Sequence, residues 1–206
     1  MIRFALALLL GLLAACGVAA VLDAQSPPKP PMWRISEAPA ELKPAISRAD
    51  AFIAAQHSAL VRQLARALAE GGAGFAIQTC HLEATNNASW IERRQGYPIG
   101  RTSDRLRSPT NAPRPWAAAI VHAYAGKRAA DVDGFAVDLG DRVGVMRPIT
   151  MRPMCEACHG MPGKISPAVR AALDERYPRD RAVGFKTGEI RGWYWMEIPK
   201  NISSSR

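Results

Sequence analysis

The chain has 206 residues, a formal net charge of +9 and a hydrophobic share of 48%. Beyond an export segment and a tether, about 165 residues remain, which suits one domain with a sizeable core; no internal repeat or second boundary is visible. The positive excess is dispersed, apart from short clusters at Arg93-Arg94 and Arg101–Arg107; that argues against a nucleic-acid face and for solvated surface with local anion partners.

Residues 1–25 read as an export signal. Arg3 supplies the charged start, and Phe4–Leu13 is an apolar run too short to span a bilayer, which takes about 20 residues. The run closes in Leu13-Ala14-Ala15-Cys16, which resembles the lipobox of bacterial lipoproteins. The expectation is a signal over 1–15, an acylated Cys16 anchoring the protein on the periplasmic side of a bacterial membrane, and a tether over 16–39. Gly17 after Cys16 leans towards the outer membrane. Ordinary cleavage after Ala20 or Ala24 would instead give a soluble periplasmic protein. The tether holds Pro27, Pro28, Pro30, Pro31 and Pro39, a composition that stays extended and semi-rigid.

The folded domain is expected over 40–206. Residues 40–70 place Ile46, Ala49, Ile53, Leu60, Leu64 and Leu68 at helical spacing, and Gly71-Gly72 predicts a stop. A second helix over 73–94 carries Cys80. Residues 97–103 read as a short extended piece, 108–115 as a Pro/Asn loop and 115–124 as a helix with Trp116 and Ile120 inward. Residues 134–139 and 142–150 alternate around Gly140-Asp141, which predicts a hairpin. Residues 166–176 form a helix with Ser166 as N-cap and Pro167 at the first position. Residues 191–198 read as a last strand. Helices first and strands later predict an α+β fold with an antiparallel sheet flanked by helices.

Cys155-Glu156-Ala157-Cys158-His159 carries the chemistry. Two thiols at this spacing reach the two vinyl groups of one porphyrin, and the histidine that follows falls under the iron. The reading is one covalent haem c, with Cys155 and Cys158 as attachment points and His159 as iron ligand. A structural zinc site wants four ligands, and no matching pair exists elsewhere in the chain. A thioredoxin-like dithiol would need a βαβ pattern, which residues 140–180 lack; a plain Cys155–Cys158 disulfide is a further alternative. Covalent haem is attached outside the bacterial cytoplasm, so the export signal and the motif agree. With Cys16 assigned to lipid, Cys80 is the leftover thiol: a candidate iron ligand, or a small buried apolar residue.

Further stretches join this motif: Ala76-Ile77-Gln78-Thr79-Cys80, Ile99-Gly100-Arg101-Thr102-Ser103, Leu106-Arg107-Ser108-Pro109-Thr110-Asn111-Ala112-Pro113, 177–185 and Gly188-Glu189-Ile190-Arg191-Gly192. Together, over about residues 40–199, they resemble a family of exported single-haem c-type proteins with a PAS-like fold, long catalogued as a domain of unknown function and related to the sensor parts of bacterial signalling proteins. The resemblance implies a PAS-like sheet, His159 as proximal ligand and Cys80 as the ligand on the opposite side. A thiolate there stabilises ferric iron and lowers the potential, and it must be deprotonated to bind. Rivals for that position are His81, His122, Met146, Met151, Met154 and Met161; His57 is read as surface. Arg101 and Arg107, with Arg105 between, are candidates for the haem propionates or a distal anion, against a reading as surface charge and turn capping. Trp116, Trp193 and Tyr194 are candidates for a haem wall, or plain core. Two departures stand out: Ser108 where the family has asparagine, and Ala117 where an acid is common.

The functional expectation is a non-enzymatic redox or small-gas sensor, switched when a diatomic gas or reduction displaces Cys80. A separate output protein would receive the signal. An electron-transfer cytochrome is the alternative. A peroxidase would need an acid–base pair; His81 or Arg101 are the nearest candidates, and neither forms a clear one.

Overall fold

The computed structural model describes residues 29–201, with the side chains of residues 80–91 outside that description. The signal, Cys16 and most of the expected tether therefore lie outside the described residues. Five strands form one antiparallel sheet: β1 Met32–Arg34, β2 Ile99–Thr102, β3 Phe135–Asp138, β4 Arg142–Thr150 and β5 Ile190–Pro199. Their order across the sheet is β1-β3-β4-β5-β2. Four α-helices accompany them: α1 Lys43–Gln95, α2 Pro115–Ala123, α3 Glu156–His159 and α4 Pro167–Arg176. The α+β reading and the β3–β4 hairpin are both present.

α1 is two helices, as Gly71-Gly72 predicts. Gly72 takes φ 68° and ψ −167°, a left-handed conformation that side chains with a Cβ rarely adopt. The bend is sharp: Phe52 in the first arm meets Tyr97, just beyond the second, with ring centroids 6.0 Å apart. Arms of this length bring those rings together only by folding back on each other.

The sheet is covered on both faces, as strand alternation requires. Leu42, just ahead of α1, and Ala45, Ile46, Ala49 and Ile53 from its first arm pack on Val143, Val145, Tyr194, Met196 and Ile198. The other face carries Phe135, Val137, Met146 and Trp193 against Ala117, Ile120 and Val121 of α2. Gly144 permits that closeness, because a Cβ there would lie 2.9 Å from the Trp116 ring. Trp116 and Trp193 are therefore core on the α2 side, and the expectation that they wall a haem gives way to this packing.

Two boundaries differ from expectation. The segment read as tether through residue 39 ends in β1, where Met32–Arg34 pair with Phe135–Val137, so the folded unit begins ahead of residue 40. Residues 40–42 are a 3-10 turn and α1 begins at Lys43. The Ser166 cap is as expected, accepting from Val169 N at 3.4 Å.

Among the described residues, no helix is long and apolar enough to cross a membrane.

Candidate functional site

The chemistry-bearing motif sits at the end of the sheet where β4 leaves, β5 enters and β2 stops. Cys155 closes a 3-10 turn and α3 carries Cys158 and His159. A clasp from the loop before β5 holds α3 down. Phe185 N donates to His159 O at 3.0 Å and Gly184 N to Gly160 O at 2.8 Å. Both thiols are half-buried and not joined in a disulfide. Cys158 packs with Ala73 and Ile77 of α1 and with Ile165, Val169 and Leu173. The second arm of α1 is thereby fixed beside the motif.

His159 is half-buried and crowded by protein. Its Nδ1 lies 2.8 Å from Ala182 O, and Arg191 Nε–H donates to the same Nδ1 at 3.0 Å. Arg107 Nη1 lies 3.5 Å from Nε2. Burial, then the positive charges of Arg191 and Arg107, hold the imidazole well below its usual pKa, so it is neutral at pH 7 and has one ring nitrogen to offer a metal.

The nearby arginines play different parts. Arg107 is fully engaged: it pairs with Asp180 at 3.1 Å and donates to Cys158 O at 2.5 Å. It braces the motif rather than standing open to a ligand. Arg105 lies 3.5 Å over the Phe185 ring and donates to Val183 O at 2.9 Å. Arg101 and Arg191 have no carboxylate within ion-pair distance among the described residues. Arg191 is pushed down to about 9, chiefly by burial and then by Arg107 and Arg101. Asp180 and Asp104 act on Arg191 only at longer range, so among the described residues neither guanidinium has an ion-pair partner, and a partly buried cation without one is costly.

This set suits an iron porphyrin. Two thiols on one turn match two vinyls, a neutral imidazole matches the iron, and two cations match two propionates. Met154 and Met161 flank the motif and are each nearly half exposed, at 46% and 47%. A groove of about 250 Å³ runs beside Met161, lined also by Glu156, Gly160, Lys164, Phe185 and Lys186.

The other sequence candidates sort as follows. Met146 and Met151 are core at 0% and 1% exposure, and His122 is exposed on α2. Cys80 and His81 have side chains outside the described residues. His57 is not surface: it is half-buried, and its Nδ1 lies 3.2 Å from Tyr194 OH. Arg191, Phe185 and the Ala182 carbonyl are site residues that sequence reasoning did not single out.

Residues 36–199 match the Tll0287-like family, and the chain belongs to that family. Among solved structures it is similar to the cyanobacterial heme-protein Tll0287, at 23% identity and a TM-score of 0.59, over 78% of this chain and 98% of that one; at that identity the likeness speaks for the fold. Among curated proteins, none matches.

Proposed function

We propose that this is an exported haem protein carrying one covalent haem c. Cys155 and Cys158 form the thioethers, and His159 is the proximal ligand. In each thioether the sulfur bonds to one vinyl carbon and the thiol hydrogen goes to its neighbour, so nothing leaves. The observation that carries the reading is the meeting, at one sheet end, of two half-buried thiols and a neutral histidine with two guanidiniums that have no ion-pair carboxylate among the described residues. The family match, and the heme-protein that shares the fold, support it. So does the sheet: a β3-β4-β5 meander with β2 added at its edge is compatible with a PAS-like core.

Cys80 is the proposed opposite ligand. Ala73 and Ile77 pack beside Cys158, and helical spacing of four and then three residues carries that stripe to position 80. A thiolate holds ferric iron well and lets go when protonated or when iron is reduced. The protein then acts as a redox or small-gas sensor that signals to a partner protein, held to a bacterial membrane through Cys16. Electron transfer is the second reading, favoured by the open groove and exposed methionines beside the motif.

Absorption and EPR spectra of the ferric and ferrous protein, with and without CO, decide between them. The sensor reading expects a ferric thiolate signature that Cys80→Ala abolishes, and CO binding on reduction. Identical spectra in the variant remove Cys80 from the account. Reversible reduction without CO binding favours electron transfer.

A further inference from the structure

The Nδ1 atom of His159 has two rivals for one role. At 2.8 Å from Ala182 O it is placed to donate a proton. At 3.0 Å from Arg191 Nε–H it is placed to accept one. A ring nitrogen cannot do both. If it donates to Ala182, Nε2 carries the lone pair and can meet a metal. If it accepts from Arg191, the proton of the neutral ring moves to Nε2, which then cannot ligate.

Arg191 reaches Nδ1 because the strand is built to aim it there. Ile149 pairs with Gly192, but Thr150 pairs with Ile190. Arg191 is thus the extra residue of a β-bulge, a device that turns a side chain out of its alternation. Ser103 Oγ fixes the bulge by donating to Arg191 O at 2.9 Å. Gly192 allows β2 to come close, since a Cβ there would collide with Thr102 O. The guanidinium so delivered lies 4.9 Å from the Phe185 ring centroid, and no carboxylate among the described residues pairs with it.

We propose that Arg191 is a positioning residue that changes partner, leaving His159 Nδ1 for a carboxylate of the arriving porphyrin. Its departure returns Nδ1 to Ala182 O and opens Nε2 to iron. Carboxylate arrival and ligand readiness are thereby one event. This rests on the haem reading above and adds to it a selection for porphyrins with free carboxylates.

The test uses full-length apo-protein with reduced thiols, titrated with haemin and with haemin dimethyl ester, which lacks free carboxylates. The wild type should favour haemin roughly tenfold or more, the scale of one charge-assisted hydrogen bond. Arg191→Met should erase that preference, and Arg191→Lys, which keeps the charge, should restore part of it. Imidazole ¹⁵N spectra of the apo-proteins give a readout independent of haem: the Nδ1–H tautomer of His159 should rise in Arg191→Met. Circular dichroism checks that the variants fold; if the Met variant does not, the Lys variant and the wild-type ester comparison still decide. Equal binding of acid and ester by the wild type, or an unchanged tautomer ratio, overturns the exchange alone. Failure of the wild type to bind haemin at all overturns the haem reading with it.

Discussion

Two charged residues on β5 stand six positions apart and live differently. Glu197 is buried and complete: its Oε1 accepts from Arg114 Nε at 2.9 Å and from Trp116 Nε1 at 2.8 Å. Arg191 is half-buried, yet among the described residues no carboxylate pairs with it, and the hydrogen-bond acceptor it reaches, His159 Nδ1, is contested. The chain finishes one end of this strand by itself and leaves the other short of an anion. On the reading proposed above, a porphyrin carboxylate would supply the close anion that Asp180 and Asp104 provide only at longer range.

Substitutions can break that contrast, and the largest effect should come from the core on the α2 face of the sheet. Trp193→Ala empties a fully buried site between Tyr124 and Phe135 and should cost about 3–5 kcal/mol in denaturant unfolding, with the iron spectrum of the folded fraction unchanged. A spectrum that moves with it would deny that the core and the site are separable. Gly192→Ala comes next: its Cβ must push β2 away, at about 1–3 kcal/mol. Because it also shifts the bulge, it should weaken the preference for free carboxylates.

Glu197→Gln keeps an acceptor for Trp116, and Arg114 is largely exposed, so the loss should stay below about 1 kcal/mol with no spectral change. Arg191→Met is its mirror image, with a small stability change and an altered haem site. If the two variants behaved alike, the distinction drawn between these residues would be empty.

The smallest effect is a pH slope. Burial, then Arg152, lowers the pKa of His57. The unfolded chain therefore binds a proton first as pH falls below about 6.5, and stability drops through the lowered folded pKa. Charges across from His57 include Arg152 and, through Tyr194, Arg101. His57→Gln should flatten this acid limb in thermal melts from pH 7 to 4; an unchanged slope would assign it elsewhere.

Much of the fold was legible because its signals are local. Alternation around Gly140-Asp141 marked the hairpin, the Gly71-Gly72 pair marked the bend in α1, and Ser166-Pro167 marked the start of α4. β1 was hidden because three residues after a proline run carry no pattern, and their pairing comes from β3, about a hundred positions away. The motif at 155–159 announced its own chemistry. Arg191 did not, since a bulge breaks the alternation by which strand faces are read. His57 misled for a related reason: its partner, Tyr194, lies 137 positions away, and α1 buries Gln56 beside it in an otherwise apolar stripe.

Everything at the arginine end depends on a porphyrin bonded to Cys155 and Cys158. The direct measurement is the intact mass of the denatured protein, purified from a host competent in c-type maturation. The account predicts the mature polypeptide plus one haem, with the added mass lost in the Cys155→Ala, Cys158→Ala double variant. A bare polypeptide mass, with the pigment gone on denaturation, would contradict it.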